Sequence, residues 1–158
     1  MSSKPASPVI DIETAPTRVG SGYPPEFAGP CAARVKRLLG NAAGITNFGV
    51  NLTELPPGSW SSQRHWHTKQ DEFIYVVEGE ITLVTDAGET LLKPGMCAGF
   101  PAGRPDGHHL INKSSRTAKY LEIGDRTQDD AAEYPDVDLS VKMVDGKFAF
   151  TRRDGTKF

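Results

Sequence analysis

Two imidazoles and a carboxylate stand close together in the stretch Gly58 to Gly79, GSWSSQRHWHTKQDEFIYVVEG. His65, His67 and Glu72 form an H-x-H-x-x-x-x-E pattern. In an extended strand alternate side chains share a face, so His65 and His67 point the same way. A polar turn, Thr68-Lys69-Gln70-Asp71, precedes Glu72, and a hairpin or loop there brings the carboxylate beside the imidazoles. Two histidines and one carboxylate on one face suit a divalent transition metal with open coordination positions. Solvated strand histidines are the plain alternative.

The flanking elements must position these groups. Phe48, Val50 and Leu52 alternate with Asn47, Gly49, Asn51 and Thr53, which predicts a strand within residues 44–55, ended by Pro56-Pro57-Gly58. Gln63, His65 and His67 share a face of the next strand. From Glu72 to Val77, Phe73, Tyr75 and Val77 lie on one face, with Ile74 and Val76 beside Glu72 on the other. With both faces apolar, one looks into a barrel interior and the other is covered by the N-terminal arm or a second subunit, which predicts a homodimer. Strands follow at residues 81–85, 89–92, 96–100, 108–112 and 118–123, separated by turn signals such as Asp86-Ala87-Gly88 and Lys93-Pro94-Gly95. Short strands at this spacing predict an all-β sandwich or barrel.

Around this centre, residues 1–30 are rich in Pro, Ser and Gly and read as an arm with a disordered tip, Val9 to Ile12 being a possible short strand. Cys31 to Leu39 carries a weak helical pattern stopped by Gly40. Asp129 to Glu133 reads as one helical turn, and Val141 to Thr151 as a terminal hairpin around Asp145-Gly146. A chain of 158 residues fits one domain. A net charge of −2 gives no reason to expect nucleic acid or an anionic membrane as partner. No apolar run is long enough to span a bilayer, and the N-terminus lacks the apolar segment of a secretory signal. Cys31 and Cys97 are too few for a disulfide framework, and Cys97, within Met96 to Phe100, reads as a buried thiol. A reducing cytoplasm fits these features.

Two motifs resemble those of the cupins. Gly58, His65, His67, Glu72 and Gly79 match the first, G-x5-H-x-H-x(3,4)-E-x6-G, with one extra residue between Gly58 and His65. Gly95, Pro101, Gly103, His108 and Asn112 match the second, G-x5-P-x-G-x2-H-x3-N, with two extra residues between Gly103 and His108. The resemblance implies an all-β fold, the conserved double-stranded β-helix or jelly-roll barrel, over residues 46–123. Residues 1–45 are then an N-terminal arm with a short helix, and residues 124–158 a C-terminal extension. It also implies a divalent metal (Fe, Mn, Ni or Zn) held by His65, His67, Glu72 and His108. Strand alternation sends His109 to the opposite face, as an outer or interface residue. Small cupins of this kind resemble sugar-phosphate isomerases or dioxygenases, and others are non-catalytic modules that bind a small molecule. An isomerase needs a cation for phosphate, for which Arg64 and Arg104 are candidates. A dioxygenase needs an apolar pocket. Trp60, Trp66, Phe73 and Tyr75 supply aromatics, although Trp66, Phe73 and Tyr75 face away from the ligand positions.

Overall fold

The computed structural model describes residues 7–158, so the tip of the arm, residues 1–6, lies outside the described residues. The strands are β1 (Thr17–Val19), β2 (Val35–Arg37), β3 (Phe48–Leu55), β4 (Trp66–His67), β5 (Glu72–Glu78), β6 (Ile81–Thr85), β7 (Gly88–Leu92), β8 (Cys97–Phe100), β9 (His109–Ile111), β10 (Ala118–Asp125), β11 (Ala131–Glu133), β12 (Ser140–Val144) and β13 (Lys147–Thr151). Two short helices, α1 (Pro25–Ala28) and α2 (Leu39–Ala42), flank β2. A six-stranded sheet in the order β1-β2-β3-β10-β5-β8 faces a four-stranded sheet, β13-β12-β11-β4, and a three-stranded sheet, β7-β6-β9. A bridge between His65 and His108 joins the edges of the two smaller sheets.

Register decides what the six-stranded sheet presents to the interior. Directly paired residues share a face. Lys36, Thr53, Tyr120 and Val76 form one transverse row. Asn51, Glu122, Ile74 and Ala98 form the next, and Gly49, Gly124, Glu72 and Phe100 a third. One end of this face is apolar: Leu55, Ile74, Val76, Ala118 and Tyr120 close with Ile81, Leu92 and Leu110 into the core. Each buried aliphatic side chain there contributes about 1.5–3 kcal/mol relative to exposure. The other end is polar and open, and the metal-ligand candidates stand there. A second cluster of Ala132, Tyr134, Leu139 and Val141 packs with Tyr23 and Phe27, seating the C-terminal hairpin on the arm.

The other barrel strand readings and the Asp145-Gly146 hairpin hold, whereas the strand expected through Gln63, His65 and His67 shrinks to β4 with an isolated bridge at His65. Several flanking readings do not. The expected helix at Cys31 to Leu39 is strand β2, with Arg34 and Lys36 turned toward the interior. Gly40 does not end a helix but lies inside α2, where a Cβ would stand 2.9 Å from the Val50 nitrogen; its bare Cα lets α2 lie on β3. Val9 to Ile12 is not a strand, and the arm pairs instead through β1. The expected helical turn at Asp129 to Glu133 gives way to β11, which pairs with β4. Cys97 is exposed, because it pairs with Tyr75 on the outer face while Ala98 and Phe100 turn inward. The arm adds β1 and β2 to the far edge of the sheet and leaves Phe73, Tyr75 and Val77 exposed at 40 %, 42 % and 46 %.

Candidate metal centre

His65 and His67 flank a single strand position, and their ring centroids lie 4.9 Å apart. Glu72, first residue of β5, reaches between them: its Oε2 lies 3.6 Å from His65 Nε2 and its Oε1 3.5 Å from His67 Nε2. These three residues each offer one ligand atom within 4.8 Å of the others. His108 approaches from the opposite sheet, with Nε2 2.7 Å from Glu72 Oε2. Three of the four positions that the motifs pick out therefore converge on one point, and His108 reaches Glu72 without joining the three within that distance.

The far sides of the rings define their chemistry. His65 Nδ1 lies 2.8 Å from the Gln63 carbonyl oxygen, an acceptor, so the proton sits on Nδ1. His67 Nδ1 lies 2.5 Å from the Asp130 carboxylate, with the same consequence. Both Nε2 lone pairs then point at a carboxylate. Three acceptors facing one another repel unless a cation lies among them, which is what this donor set fits. In the metal-free protein a proton substitutes. Burial alone would depress His67, but Glu72 and Asp130 raise its pKa to about 9. Burial would raise Glu72, yet its bonds from His108, His65 and His67 hold it well below the usual carboxylate range. Burial keeps His108 below its ordinary value against the opposing pull of Glu72. His108 also differs in its supports: its ring stacks on Phe100 at 3.6 Å, and its buried Nδ1 has no hydrogen-bond partner.

Asp130 is the residue that sequence reasoning missed. It is 3 % exposed, and its other oxygen accepts from the Lys69 amide at 2.9 Å. Its separation of 63 residues from His67 gave no local signal. His109 does face away from Glu72 but is not an outer residue. It is buried beneath Trp60, with the rings edge to face at 4.8 Å, and its Nδ1 meets the Ser62 carbonyl. Asn112, matched by the second motif, is fully buried and ties Leu55 and Arg116 carbonyls to the Ser114 turn, a structural role.

Two cavities reach the cluster. The smaller, about 170 Å³, passes Trp66, Gln70, Thr85, Arg104 and Asp106. The larger, about 640 Å³, runs along the polar end of the six-stranded sheet past Tyr23, Lys36, Asn51, Glu122 and Tyr134. Arg64 is not available to a ligand: it donates to Asp136, Asp86 and the Gly107 carbonyl, fastening the C-terminal extension beside His65. Arg104 is exposed at the smaller cavity, and among the described residues its side chain has no hydrogen-bond or ion-pair partner. Trp66 lines that cavity, against the expectation that it faces away, whereas Tyr75 lies on the outer face.

The cupin domain family matches residues 51–124. A structure named as a sugar phosphate isomerase from a cupin superfamily, from Silicibacter pomeroyi, is 44 % identical, with a TM-score of 0.92 over 96 % of both chains. The chain belongs to the cupin superfamily. It is also similar to a candidate sugar phosphate isomerase from Acidithiobacillus ferrooxidans, at 28 % identity and TM-score 0.73 over 80 % of this chain and 81 % of that one. A polyketide cyclase from Streptomyces resistomycificus shares the fold at 22 % identity and TM-score 0.61, over 74 % of this chain and 78 % of that one. No curated protein matches the chain. Among the described residues no helix is long and apolar enough to cross a membrane.

Proposed function

We propose that this cupin is a metal-dependent isomerase that interconverts the aldose and ketose forms of a sugar phosphate. The observation that carries the reading is the convergence of two Nε2 lone pairs and the Glu72 carboxylate on one point beside polar cavities. The names of the Silicibacter pomeroyi and Acidithiobacillus ferrooxidans structures support the substrate class. His65, His67, Glu72 and His108 would hold the metal, as Fe, Mn, Ni or Zn. A divalent cation so held supplies polarisation of a carbonyl or hydroxyl oxygen. Arg104 is suited to receive the phosphate, since its guanidinium is uncommitted and presents several donors to an anion. A dioxygenase of apolar substrates is less well supported, because charged and hydroxyl groups line the larger cavity.

The test is to reconstitute the chain with Mn, Fe, Ni or Zn in turn and assay aldose phosphates for ketose formation. Turnover with at least one ion is expected. Arg104→Ala should raise KM for the phosphorylated sugar by about tenfold or more, as loss of a charge-assisted contact implies, and Arg64→Ala should not. No turnover with any ion, together with a rise in melting temperature on adding a sugar phosphate, would instead support a binding module.

We also infer that the exposed strip of Phe73, Tyr75 and Val77 is covered by a second copy of the chain. Sedimentation at micromolar concentration should give a dimer that Tyr75→Lys/Val77→Lys dissociates. A monomeric wild type would exclude this.

A further inference from the structure

The larger cavity holds a carboxylate that the metal cluster does not use. Glu122 lies on the inward face of β10, directly opposite Asn51 on β3 and Ile74 on β5. Glu72 pairs with Gly124, so Glu122 is its diagonal neighbour across the same pair of strands. That places the two Cβ atoms about 7–8 Å apart on one face. No side chain intervenes from the row of Glu72, because the adjoining inward positions on β10 and β3 are Gly124 and Gly49. Gly124 leaves bare backbone beside Glu72 as floor for a ligand, and the Arg126 side chain bounds that floor at Gly49.

Three strands hold Glu122 in place. Its Oε1 accepts from Lys36 Nζ on β2 and from Asn51 Nδ2 at 2.9 Å. Its Oε2 has one long contact, 3.5 Å from the Tyr120 hydroxyl, and otherwise keeps its lone pairs for the cavity. A lysine–glutamate pair on the inner face of a barrel costs desolvation that apolar residues would avoid, as Ile74 and Val76 avoid it on the neighbouring strand. Burial would raise the carboxyl, but Lys36 and Asn51 hold it below the usual carboxylate range, so it is a proton acceptor at neutral pH.

We propose that Glu122 is the general base of the isomerisation, with Lys36 and Asn51 as its positioning residues; this rests on the isomerase reading above. A substrate whose carbonyl end meets the cluster has its neighbouring carbon over the glycine row, in front of Glu122 Oε2. The C2–H bond breaks, the proton passes to Oε2, and the electron pair becomes the C1–C2 double bond of an enediolate. The O2 proton moves to O1, a carbonyl forms at C2, and Glu122 returns its proton to C1. Atoms and charge balance, and no oxidant or reductant is needed.

The experiment uses metal-loaded, full-length wild type, Glu122→Gln and Glu122→Asp with glucose, mannose, ribose and arabinose phosphates in D₂O. It reads turnover and deuterium incorporation by NMR, metal content, and calorimetric binding of the alditol phosphate of whichever sugar reacts. Glu122→Gln should keep its metal and bind the alditol within about threefold of wild type, while turnover falls by roughly 10²–10⁴-fold, the contribution of a positioned base. Glu122→Asp keeps the charge but withdraws the oxygen by one methylene, so it should lose rate without losing metal. A variant that turns over and exchanges deuterium at the wild-type rate overturns the assignment while leaving the isomerase reading intact. A wild type inert toward every sugar phosphate overturns the isomerase reading, and this assignment with it.

Discussion

Asp130→Asn is the substitution that probes the centre without touching a ligand position. The wild-type carboxylate sits 2.5 Å from His67 Nδ1 and is almost fully buried. It keeps the proton on Nδ1 and the lone pair on Nε2. An asparagine can face the ring in two ways. With its oxygen inward it replaces a charge-assisted bond by a neutral one of roughly half the strength. With its NH₂ inward it drives the ring proton to Nε2 and removes a ligand atom. Partners of this kind are worth about 10–100-fold in metal affinity, or about 1.4–2.8 kcal/mol. Competition against a calibrated chelator measures the effect. Asp129→Asn is the control, since Asp129 is exposed and, among the described residues, pairs only with Lys69 at the surface. A weakening of at least tenfold in Asp130→Asn with none in the control is expected. A change under twofold in a variant that melts normally would refute the claim that Asp130 sets the His67 tautomer.

His108→Ala should lower metal content sharply, whereas His109→Ala should keep it, because His109 turns toward Trp60 and not toward Glu72; elemental analysis of both variants decides. Gly79→Ala should cost at least about 2 kcal/mol in urea unfolding, since its φ of +76° is disfavoured for alanine and a Cβ would stand 2.9 Å from Ala118 Cα. Gly58→Ala, with φ +79° and open space around it, should cost about 1 kcal/mol. The metal-free protein should lose stability in acid. Glu72, Glu122 and Asp136 have folded pKa values below their unfolded ones, so their contribution is fully present above about pH 4.5 and is lost as pH falls through the folded values. Chemical unfolding from pH 3 to 7 should show this limb, shallower in Glu122→Gln.

The centre of the fold is legible because strand period and motif coincide there. Phe73, Tyr75 and Val77 alternate with Glu72, Ile74 and Val76, and the latter three do face the interior. The alternation also separates His108 from His109, although not their burial: Trp60, 49 residues from His109, covers the second ring. Strand β2 is obscured for a physical reason. Its inward residue Lys36, and Arg34 just before the strand, line a polar cavity, so the apolar-inward pattern that marks a half-buried strand is reversed. Asp130 and Glu122 escape notice because single acidic residues in a chain carry no sign of burial. Only register across β4–β11 and β3–β10–β5 brings them to the site.

Whether this centre holds a metal is decided by the metal content of the full-length protein and of His65→Ala/His67→Ala, each after reconstitution and desalting. Close to one Fe, Mn, Ni or Zn per wild-type chain is expected, and almost none in a double variant that remains folded. A wild type that stays empty, or a double variant that retains its metal, would contradict that expectation.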